Sequence, residues 1–117
     1  MSLLSKQATF ANNVSLLLAF MFKEGYQVTF GEAYRTPEQA VLDYKHGIGI
    51  VDSLHCKRLA IDLMLFKDGA YLSDTEAYKS FGEYWATLNP LNRWGGTFHD
   101  SHGNKKPDGD HFEMQDL

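Results

Sequence analysis

The sequence predicts an α+β fold, in which a small antiparallel sheet packs against two long helices and one short helix. Two stretches repeat apolar residues at helical spacing, and other short runs alternate polar with apolar residues, as strands do. The 117 residues are 44% hydrophobic and 22% charged, a balance typical of a folded domain. We therefore expect residues 1–117 to form a single domain.

The first long helix is predicted from apolar positions that recur at helical spacing between residues 10 and 22. These positions are Phe10, Val14, Leu17, Leu18, Met21 and Phe22. Leu16, Ala19 and Phe20 occupy the opposite side, so the helix is apolar almost all round and is expected to lie in the core. Gly25 fits a C-terminal stop, and the alternation in Gln27–Phe30 predicts a half-buried strand.

The short helix is predicted to begin after Thr36. Residues 36–39 combine an N-cap, a proline at the first helical position and a glutamine at the third, which are the elements of a capping box. The helix is expected to end at about Tyr44. Residues 46–55 hold two glycines and two histidines and are expected to form a loop. The run 59–66 is mostly apolar and predicts a central strand.

The second long helix is predicted after a turn at residues 67–69, where Ser73 and Glu76 repeat the capping-box pattern. Its apolar stripe consists of Ala77, Phe81, Tyr84, Trp85 and Leu88. Pro90 should end the helix. The alternating run 110–114 predicts the last strand.

Composition excludes several classes of protein. The net charge of −4 and the pI of about 5.6 have the wrong sign for binding phosphate backbones, so no nucleic acid is expected as a partner. The single cysteine, Cys56, cannot form an internal disulfide or a cysteine-rich zinc site. The apolar run 16–22 falls far short of the roughly 20 residues that span a bilayer. No small-x-small cleavage site follows this run, so a secretory signal is not expected.

Asp62 is the informative residue of the central strand, because its carboxylate stands among apolar neighbours. Burying an unpaired charge costs several kcal/mol, so Asp62 must be neutral, paired with a base or bound to a cation. An ion pair with Arg58 or Arg35 would satisfy it. His55, seven residues earlier at the end of the loop, offers another partner.

His111 lies in the other alternating strand, where its ring could meet His55 and Asp62. Two imidazoles and one carboxylate, with the fourth position left to water, are the ligand set of a catalytic zinc site rather than a closed structural one. Zinc lowers the pKa of such a water to about 7 and so supplies hydroxide at neutral pH. From the residues alone, the ion pair and the zinc site both remain open.

Two further residues fit such a site. Asp108 precedes His111 by three positions, where its carboxylate could reach the water without being a ligand, so it is a candidate general base. Arg35 follows the strand-like segment 31–34 and could stabilise a developing oxyanion. A surface salt bridge is an equally good interpretation of Arg35.

These residues carry a resemblance to a known family. Ser53-Leu54-His55 with Asp62, and the run 108–112, resemble the Ser-x-His-(x6)-Asp and Asp-x-x-His motifs of the D-Ala-D-Ala carboxypeptidase-like zinc peptidases. They resemble in particular the L-alanyl-D-glutamate endopeptidases that bacteriophages use as endolysins. The segment 34–39 is similar to the family's Tyr-Arg-(x3)-Gln motif, and residues 93–96 are similar to its Trp-Gly-Gly loop. The motifs occur in the family's order.

The resemblance implies a hedgehog/D-Ala-D-Ala-peptidase-like fold with Zn²⁺ held by His55, Asp62 and His111. It further implies that Asp108 is the catalytic base and that Arg35 stabilises the transition state.

Three residues are expected to support this site: Ser53 and Gln39 by the resemblance, and Trp94 as a wall of the cleft beside two glycines. The chain departs from the family at Arg58, where the family often has glycine, and this puts packing or substrate contacts near the metal in question. Asp110 is an extra carboxylate beside His111, so it competes with Asp108 for the role of base. Asp108 is favoured because its offset from the histidine is the family's.

Other candidate residues receive structural interpretations. Cys56 adjoins His55 but is expected to pack away from the metal, since adjacent strand residues point to opposite sides. The remaining histidines have no partner at a recognisable spacing and are expected on the surface or in loops: His46, His99 and His102. Trp85 belongs to the apolar stripe of its helix and is expected in the core.

Together these expectations describe a single catalytic domain without a separate wall-binding domain. It would be a zinc metallopeptidase that hydrolyses the L-Ala–D-Glu bond in the stem peptide of bacterial peptidoglycan. As a phage-type lysin it would accumulate in the cytoplasm of the producing cell and act on the wall after release. We expect a monomer whose partner is peptidoglycan, with no stable membrane insertion.

Two alternatives remain. A D-Ala-D-Ala carboxypeptidase or dipeptidase would use the same metal and base, but it would need a cation for the terminal carboxylate of its substrate. The candidate cations are Arg58, Arg93, Lys105 and Lys106. A non-catalytic module could instead bind peptidoglycan and use zinc only structurally.

Overall fold

Three helices and five strands make up the regular structure of the described residues, which are 1–47 and 53–117 of a computed structural model. The helices are α1 (Leu3–Lys23), α2 (Pro37–Lys45) and α3 (Lys79–Leu88). The strands are β1 (Gln27–Phe30), β2 (Ala60–Lys67), β3 (Ala70–Tyr71), β4 (Asn92–Trp94) and β5 (His111–Met114). The expected α+β class is therefore confirmed. Residues 48–52 of the expected loop 46–55 lie outside the described part.

All the strand pairs are antiparallel. The main path of the sheet runs β1-β2-β5-β4, and β3 pairs with the end of β2 as a short hairpin. The expected central strand is β2, which pairs with β1, β3 and β5. The register sets Asp62 of β2 directly opposite His111 of β5. It also sets Arg93 of β4 opposite Glu113 of β5.

The core lies between one face of the sheet and the helices α1 and α3. Alternate residues of β2 enter it, and the ring of Trp85 in α3 packs edge-on against Phe10 of α1 and Phe112 of β5. Because neighbouring strand residues point to opposite faces, Asp62 lies on the face of the sheet that the core does not cover. This leaves the polar face free for a site.

The structure corrects the expectation for α1. This helix buries only one side, whose residues are Lys6, Phe10, Asn13, Val14, Leu17 and Met21. Leu4, Leu16 and Phe22 on its other side are exposed. The helix α1 therefore carries more apolar side chains than the core buries. Among the described residues, no helix is both long enough and apolar enough to cross a membrane.

The expected second long helix begins later than its capping pattern suggests. Asp74, rather than Ser73, accepts a hydrogen bond from the backbone of Glu76 and caps a 3₁₀ turn, Thr75–Tyr78. The helix α3 starts only after this turn, because the buried Tyr78 hydroxyl is tied to the β2–β3 hairpin. That hydroxyl donates to the carbonyl of Leu72 and accepts from the amide of Leu65.

Short elements near the site also differ from expectation. Residues 54–57 form a 3₁₀ turn, Leu54–Lys57, instead of loop, and the short strands β3 and β4 have no alternating pattern long enough to predict them. The strand-like segment 31–34 is outside the regular strands. It still follows the edge of β2, since the carbonyl of Glu32 accepts from the amide of Asp62 at 2.9 Å.

Candidate metal centre

Three side chains converge on the polar face of the sheet. Oδ1 of Asp62 lies 3.2 Å from Nδ1 of His111 and 3.6 Å from Nε2 of His55. His111 is placed by the β2–β5 register, and His55 is placed by the 3₁₀ turn Leu54–Lys57, which Ser53 caps. One possible ligand atom from each residue lies within 4.8 Å of the others. Of the two interpretations left open for Asp62, the ion pair with Arg58 or Arg35 does not form, and Asp62 contacts two histidines instead.

This arrangement could hold a metal ion. Ligand atoms about 2.0–2.1 Å from a tetrahedral zinc ion stand about 3.3 Å apart, close to the two distances that Asp62 makes. Both histidines are buried and Asp62 is half-buried. Nδ1 of His55 is a buried nitrogen without a hydrogen-bond partner among the described residues, so its ring is not committed elsewhere. The donor types suit zinc, and two of the three spacings between ligand atoms are close to those of a tetrahedral site.

Two glutamates outside the triad face the outer nitrogens of the imidazoles, and only the one beside His111 is within hydrogen-bond distance. Oε1 of Glu113 lies 2.8 Å from Nε2 of His111. Oε1 of Glu32 lies 3.6 Å from Nδ1 of His55 and also contacts Arg35. Each ring thus turns one nitrogen towards Asp62 and the other towards a glutamate.

The charges of the centre stabilise one another. Burial alone would raise the pKa of Asp62, but its hydrogen bond with His111 and the nearby ring of His55 lower it to about 2. Burial alone would lower the pKa of His111, but hydrogen bonds with Asp62 and Glu113 raise it to about 9. Asp62 is therefore ionised at neutral pH, as a metal ligand must be.

Two more carboxylates lie at the edge of the triad. Oδ2 of Asp108 is 4.0 Å from Nδ1 of His111, and its side chain is 57% exposed. Asp110 is half-buried, and burial together with a hydrogen bond to Asp108 raises its pKa to about 7. The exposed Asp108 is the better placed of the two to exchange a proton with a molecule in the groove.

Arg35 forms an ion pair and also lines the groove, and its oxyanion role stays a prediction. Its guanidinium pairs with Glu32, and this hydrogen bond is the main reason that its pKa is raised. The side chain is nevertheless mostly buried and lines the same groove as the triad. Its backbone amide donates to the carbonyl of His55 at 3.3 Å, which fixes the residue beside the centre.

The triad lies in an open groove of about 590 Å³. The groove is lined by Arg35, Ser53, Leu54, His55, Lys57, Asp62, Arg93, Phe98, Asp108, His111, Glu113, Gln115, Asp116 and Leu117. This lining brings together every expected metal ligand, the expected base and the expected oxyanion residue. The groove is large enough for a short peptide segment.

The supporting residues have different places. Ser53 is buried in the groove wall, where its hydroxyl accepts from the amide of His55. Gln39 is exposed and lies away from the groove lining; it donates to Asp43, whose other oxygen is 3.9 Å from Nε of Arg35. The structure thus connects Gln39 to the groove through Asp43 and Arg35.

Trp94 does not wall the groove as expected. A Cβ on Gly82 or Gly96 would lie 2.1 Å from its indole, so the ring fills the space that these two glycines leave. Its Nε1 donates to the carbonyl of Gly109 at 2.7 Å. The indole is thus a support for the segment that carries Asp108.

Arg58 also points away from the centre. Its guanidinium stacks over the ring of Tyr34, 4.1 Å from the centroid, at an apolar groove outside the site. Its backbone has φ of 56°, in the left-handed region. This conformation accounts for the glycine that the resembled family often has at this position. Having arginine instead of glycine at position 58 therefore affects a left-handed backbone position. It does not alter the three side chains of the centre.

The other candidates lie outside the groove lining. His99 and Lys105 pair through their backbones in an isolated bridge, and both are exposed. Lys106, His46 and His102 are exposed as well. Cys56 belongs to a 3₁₀ turn rather than a strand, and its Sγ lies 3.9 Å from the carbonyl of Thr36, so the strand argument for it was wrong. Of the cations proposed for a terminal carboxylate, Arg93 alone lines the groove.

Sequence reasoning missed Glu113, Glu32 and Phe98. Glu113 had a usable signal, because it follows His111 by two residues in an alternating strand and must share its face. Glu32 had none, since its position depends on the pairing of segment 31–34 with β2. Phe98, whose ring centroid is 5.6 Å from that of His111, comes from a segment without periodicity.

No protein-family model matches the chain, and neither does any curated protein sequence. Among solved structures, the fold is similar to that of an endopeptidase. That protein is the L-Ala D-Glu endopeptidase ChiX of Serratia marcescens, with a TM-score of 0.72 and 16% sequence identity. The similarity covers 91% of this chain and 77% of that one. This similarity supports, for the fold alone, the resemblance to the zinc peptidases that the sequence motifs indicate.

Proposed function

We propose that this protein is a zinc-dependent peptidase that hydrolyses a peptide bond of the peptidoglycan stem peptide, and that the L-Ala–D-Glu bond is its target. The convergence of His55, Asp62 and His111 beside Asp108 in one open groove carries the proposal. The similarity of the fold to an L-Ala D-Glu endopeptidase supports the choice of bond. Action on the cell wall after release from the producing cell stays a prediction.

The residues have separate roles in this reaction. Zinc held by His55, Asp62 and His111 would supply a Lewis acid and lower the pKa of water to about 7. Asp108 accepts a proton from the attacking water and transfers it to the leaving amine. A carbon–oxygen bond forms at the carbonyl first, and the carbon–nitrogen bond then breaks as the protonated amine leaves. Arg35 presents a positive charge to the oxyanion that develops.

A D-Ala-D-Ala carboxypeptidase remains the second candidate. The observation that favours it is Arg93, whose half-exposed side chain lines the groove and could pair with a terminal carboxylate. Both candidates use the same centre, so products must distinguish them.

Digestion of purified peptidoglycan by the zinc-loaded protein tests the proposal. Fragments are identified by mass spectrometry, and new amino termini are labelled. We expect new D-Glu amino termini. Release of free D-Ala or its dipeptide would instead establish the second candidate. Zinc-loaded Asp108→Asn is the control for contaminating hydrolases. If folded, zinc-containing wild-type protein releases nothing, the enzyme proposal is wrong and a binding module becomes the better interpretation.

A further inference from the structure

One buried carboxylate has no part in the proposed reaction. Glu113 is only 5% exposed, although ionised glutamates are rarely buried unless they are paired. It follows His111 by two residues in β5, so the two side chains share one face of the strand. Its Oε1 lies 2.8 Å from Nε2 of His111. The buried carboxylate of Glu113 therefore lies directly beside a proposed metal ligand.

The second oxygen of Glu113 has its own partner. Oε2 accepts a hydrogen bond from Nε of Arg93 at 2.8 Å and also contacts Nη2. Arg93 stands directly opposite Glu113 in the β4–β5 register, and its side chain is half exposed. Each oxygen of the carboxylate therefore faces a different residue, Oε1 facing His111 and Oε2 facing Arg93.

This geometry determines which nitrogen of His111 carries hydrogen. An ionised carboxylate can only accept, so Nε2 of His111 must donate to it. In the neutral ring the lone pair is then on Nδ1, the nitrogen that faces Asp62. Metal-binding histidines usually donate their other N–H in this way, and the partner orients the ring.

We propose that Glu113, held by Arg93, is a positioning residue that orients His111 and selects the tautomer that binds metal through Nδ1. This inference rests on the metal centre of the proposed function. A glutamine could not replace Glu113 fully, because His111 and Arg93 face different oxygens of the carboxylate and an amide offers an acceptor on only one of the two sides.

Zinc affinity, measured by competition with a chromogenic chelator, tests this role without any need for activity. We expect Glu113→Ala to weaken zinc binding by about 10–100-fold. Glu113→Gln should weaken it less, and adding Arg93→Met to Glu113→Gln should restore part of the affinity, since the amide oxygen then has only His111 to face. The matched control is Glu83→Gln, an exposed residue of α3 with the same change of charge.

Cobalt substitution supplies a second readout. The visible spectrum of the Co²⁺ protein should change in Glu113→Ala and stay unchanged in Glu83→Gln, because the spectrum responds to ligand geometry. Circular dichroism of the metal-free variants checks folding. If Glu113→Ala does not fold, the zinc affinities of Glu113→Gln and of the double variant are compared instead, and this comparison tests the positioning role.

Three outcomes separate this inference from the proposed function. If the Glu113 variants bind zinc as tightly as the wild type with the same cobalt spectrum, the positioning role is wrong. If the wild type binds no zinc, the metal centre and the positioning role both fail. If it binds zinc, depends on Glu113 for it and cleaves no peptide, the proposed function fails and this inference stands.

Discussion

At the scale of the residue, the two histidines among the proposed ligands differ in how short their contacts with neighbouring carboxylates are. His111 is fixed on both sides, by Asp62 at 3.2 Å and by Glu113 at 2.8 Å. His55 has only longer contacts, 3.6 Å to Asp62 and 3.6 Å to Glu32. Hydrogen bonds therefore orient the ring of His111 on both sides, whereas the ring of His55 has no hydrogen bond as short to either carboxylate.

The exposed carboxylate of the centre should carry the proton transfer. We expect Asp108→Asn to lower kcat by about 10²–10⁴-fold, a usual contribution of a general base. Zinc content, measured by atomic absorption, should not change, because Asp108 is not one of the three ligands. Asp110→Asn is the matched control, since it removes the neighbouring carboxylate. A loss of kcat as large in Asp110→Asn would show that Asp110 is the base instead.

The charge of His111 should make the stability of the metal-free protein depend on pH. Its pKa is about 9 in the folded protein and about 6.5 in an unfolded chain, so folding strengthens proton binding. This contribution to the free energy of unfolding is complete below about pH 6.5 and is lost as the pH rises through about 9.

Thermal unfolding in excess chelator measures this dependence. The melting temperature should fall across that interval in the wild type and much less in His111→Gln. His99→Gln, which removes an exposed histidine, should behave as the wild type does. A melting temperature that does not change across the interval in the wild type would contradict the charge pairing described for His111.

At the scale of the element, two segments of the backbone meet without a side chain between them. A Cβ on Gly95 would lie 2.2 Å from the carbonyl oxygen of Asp108 and 2.9 Å from Cβ of His111. The amide of Asp108 donates to the carbonyl of Gly95 at 2.9 Å. The turn after β4 and the start of β5 are thus packed against each other through glycine, and this contact sets the position of Asp108.

Gly95→Ala should therefore disturb both stability and activity. We expect a loss of about 2–4 kcal/mol in the free energy of unfolding, because backbone atoms must move. The control is Gly103→Ala, where φ is 81° but no atom lies within 4 Å of the added Cβ. That substitution should cost only about 1–2 kcal/mol, from the left-handed backbone. Urea denaturation measures the free energy of unfolding of both variants. Equal losses in the two variants would contradict the close contact at Gly95.

The elements with a strong local pattern could be predicted, and the others could not. The strand β2 follows from its apolar run, and α2 follows from the Thr36 cap, whose hydroxyl accepts from the amide of Gln39. The start of α3 depends on Tyr78 bonding to β2, a long-range contact that no local pattern contains. The same applies to Trp94, because its place is made by Gly82, far from it in the sequence.

At the scale of the whole molecule, the candidate centre joins distant parts of the chain. His55 comes from the 3₁₀ turn before β2, Asp62 from β2 itself, and His111 from β5. The need of Asp62 for a partner was predictable because a carboxylate stands in an apolar strand, and the resemblance supplied the two histidines as candidates. Their actual distances were not, since they depend on the pairing of strands almost 50 residues apart.

Metal binding should therefore stabilise the entire fold. With free zinc at 100 times its Kd, the stabilisation is about 2.7 kcal/mol, which corresponds to a rise of about 10 °C in Tm for a chain of this size. Differential scanning calorimetry with zinc and with chelator measures the difference. His111→Ala, which lacks a ligand, should melt at the same temperature in both conditions. A wild-type Tm independent of zinc would rule out the centre.

The direct opposition of Asp62 and His111 across β2 and β5 also bears on how the chain folds. A slip of one residue in this pairing turns one of the two side chains to the opposite face of the sheet. Only one alignment of the strands then presents both of them, together with His55, to the same ion. An ion present during refolding would favour that alignment over the alignments shifted by one residue. The centre would then help to select the correct register of β2 and β5 during folding.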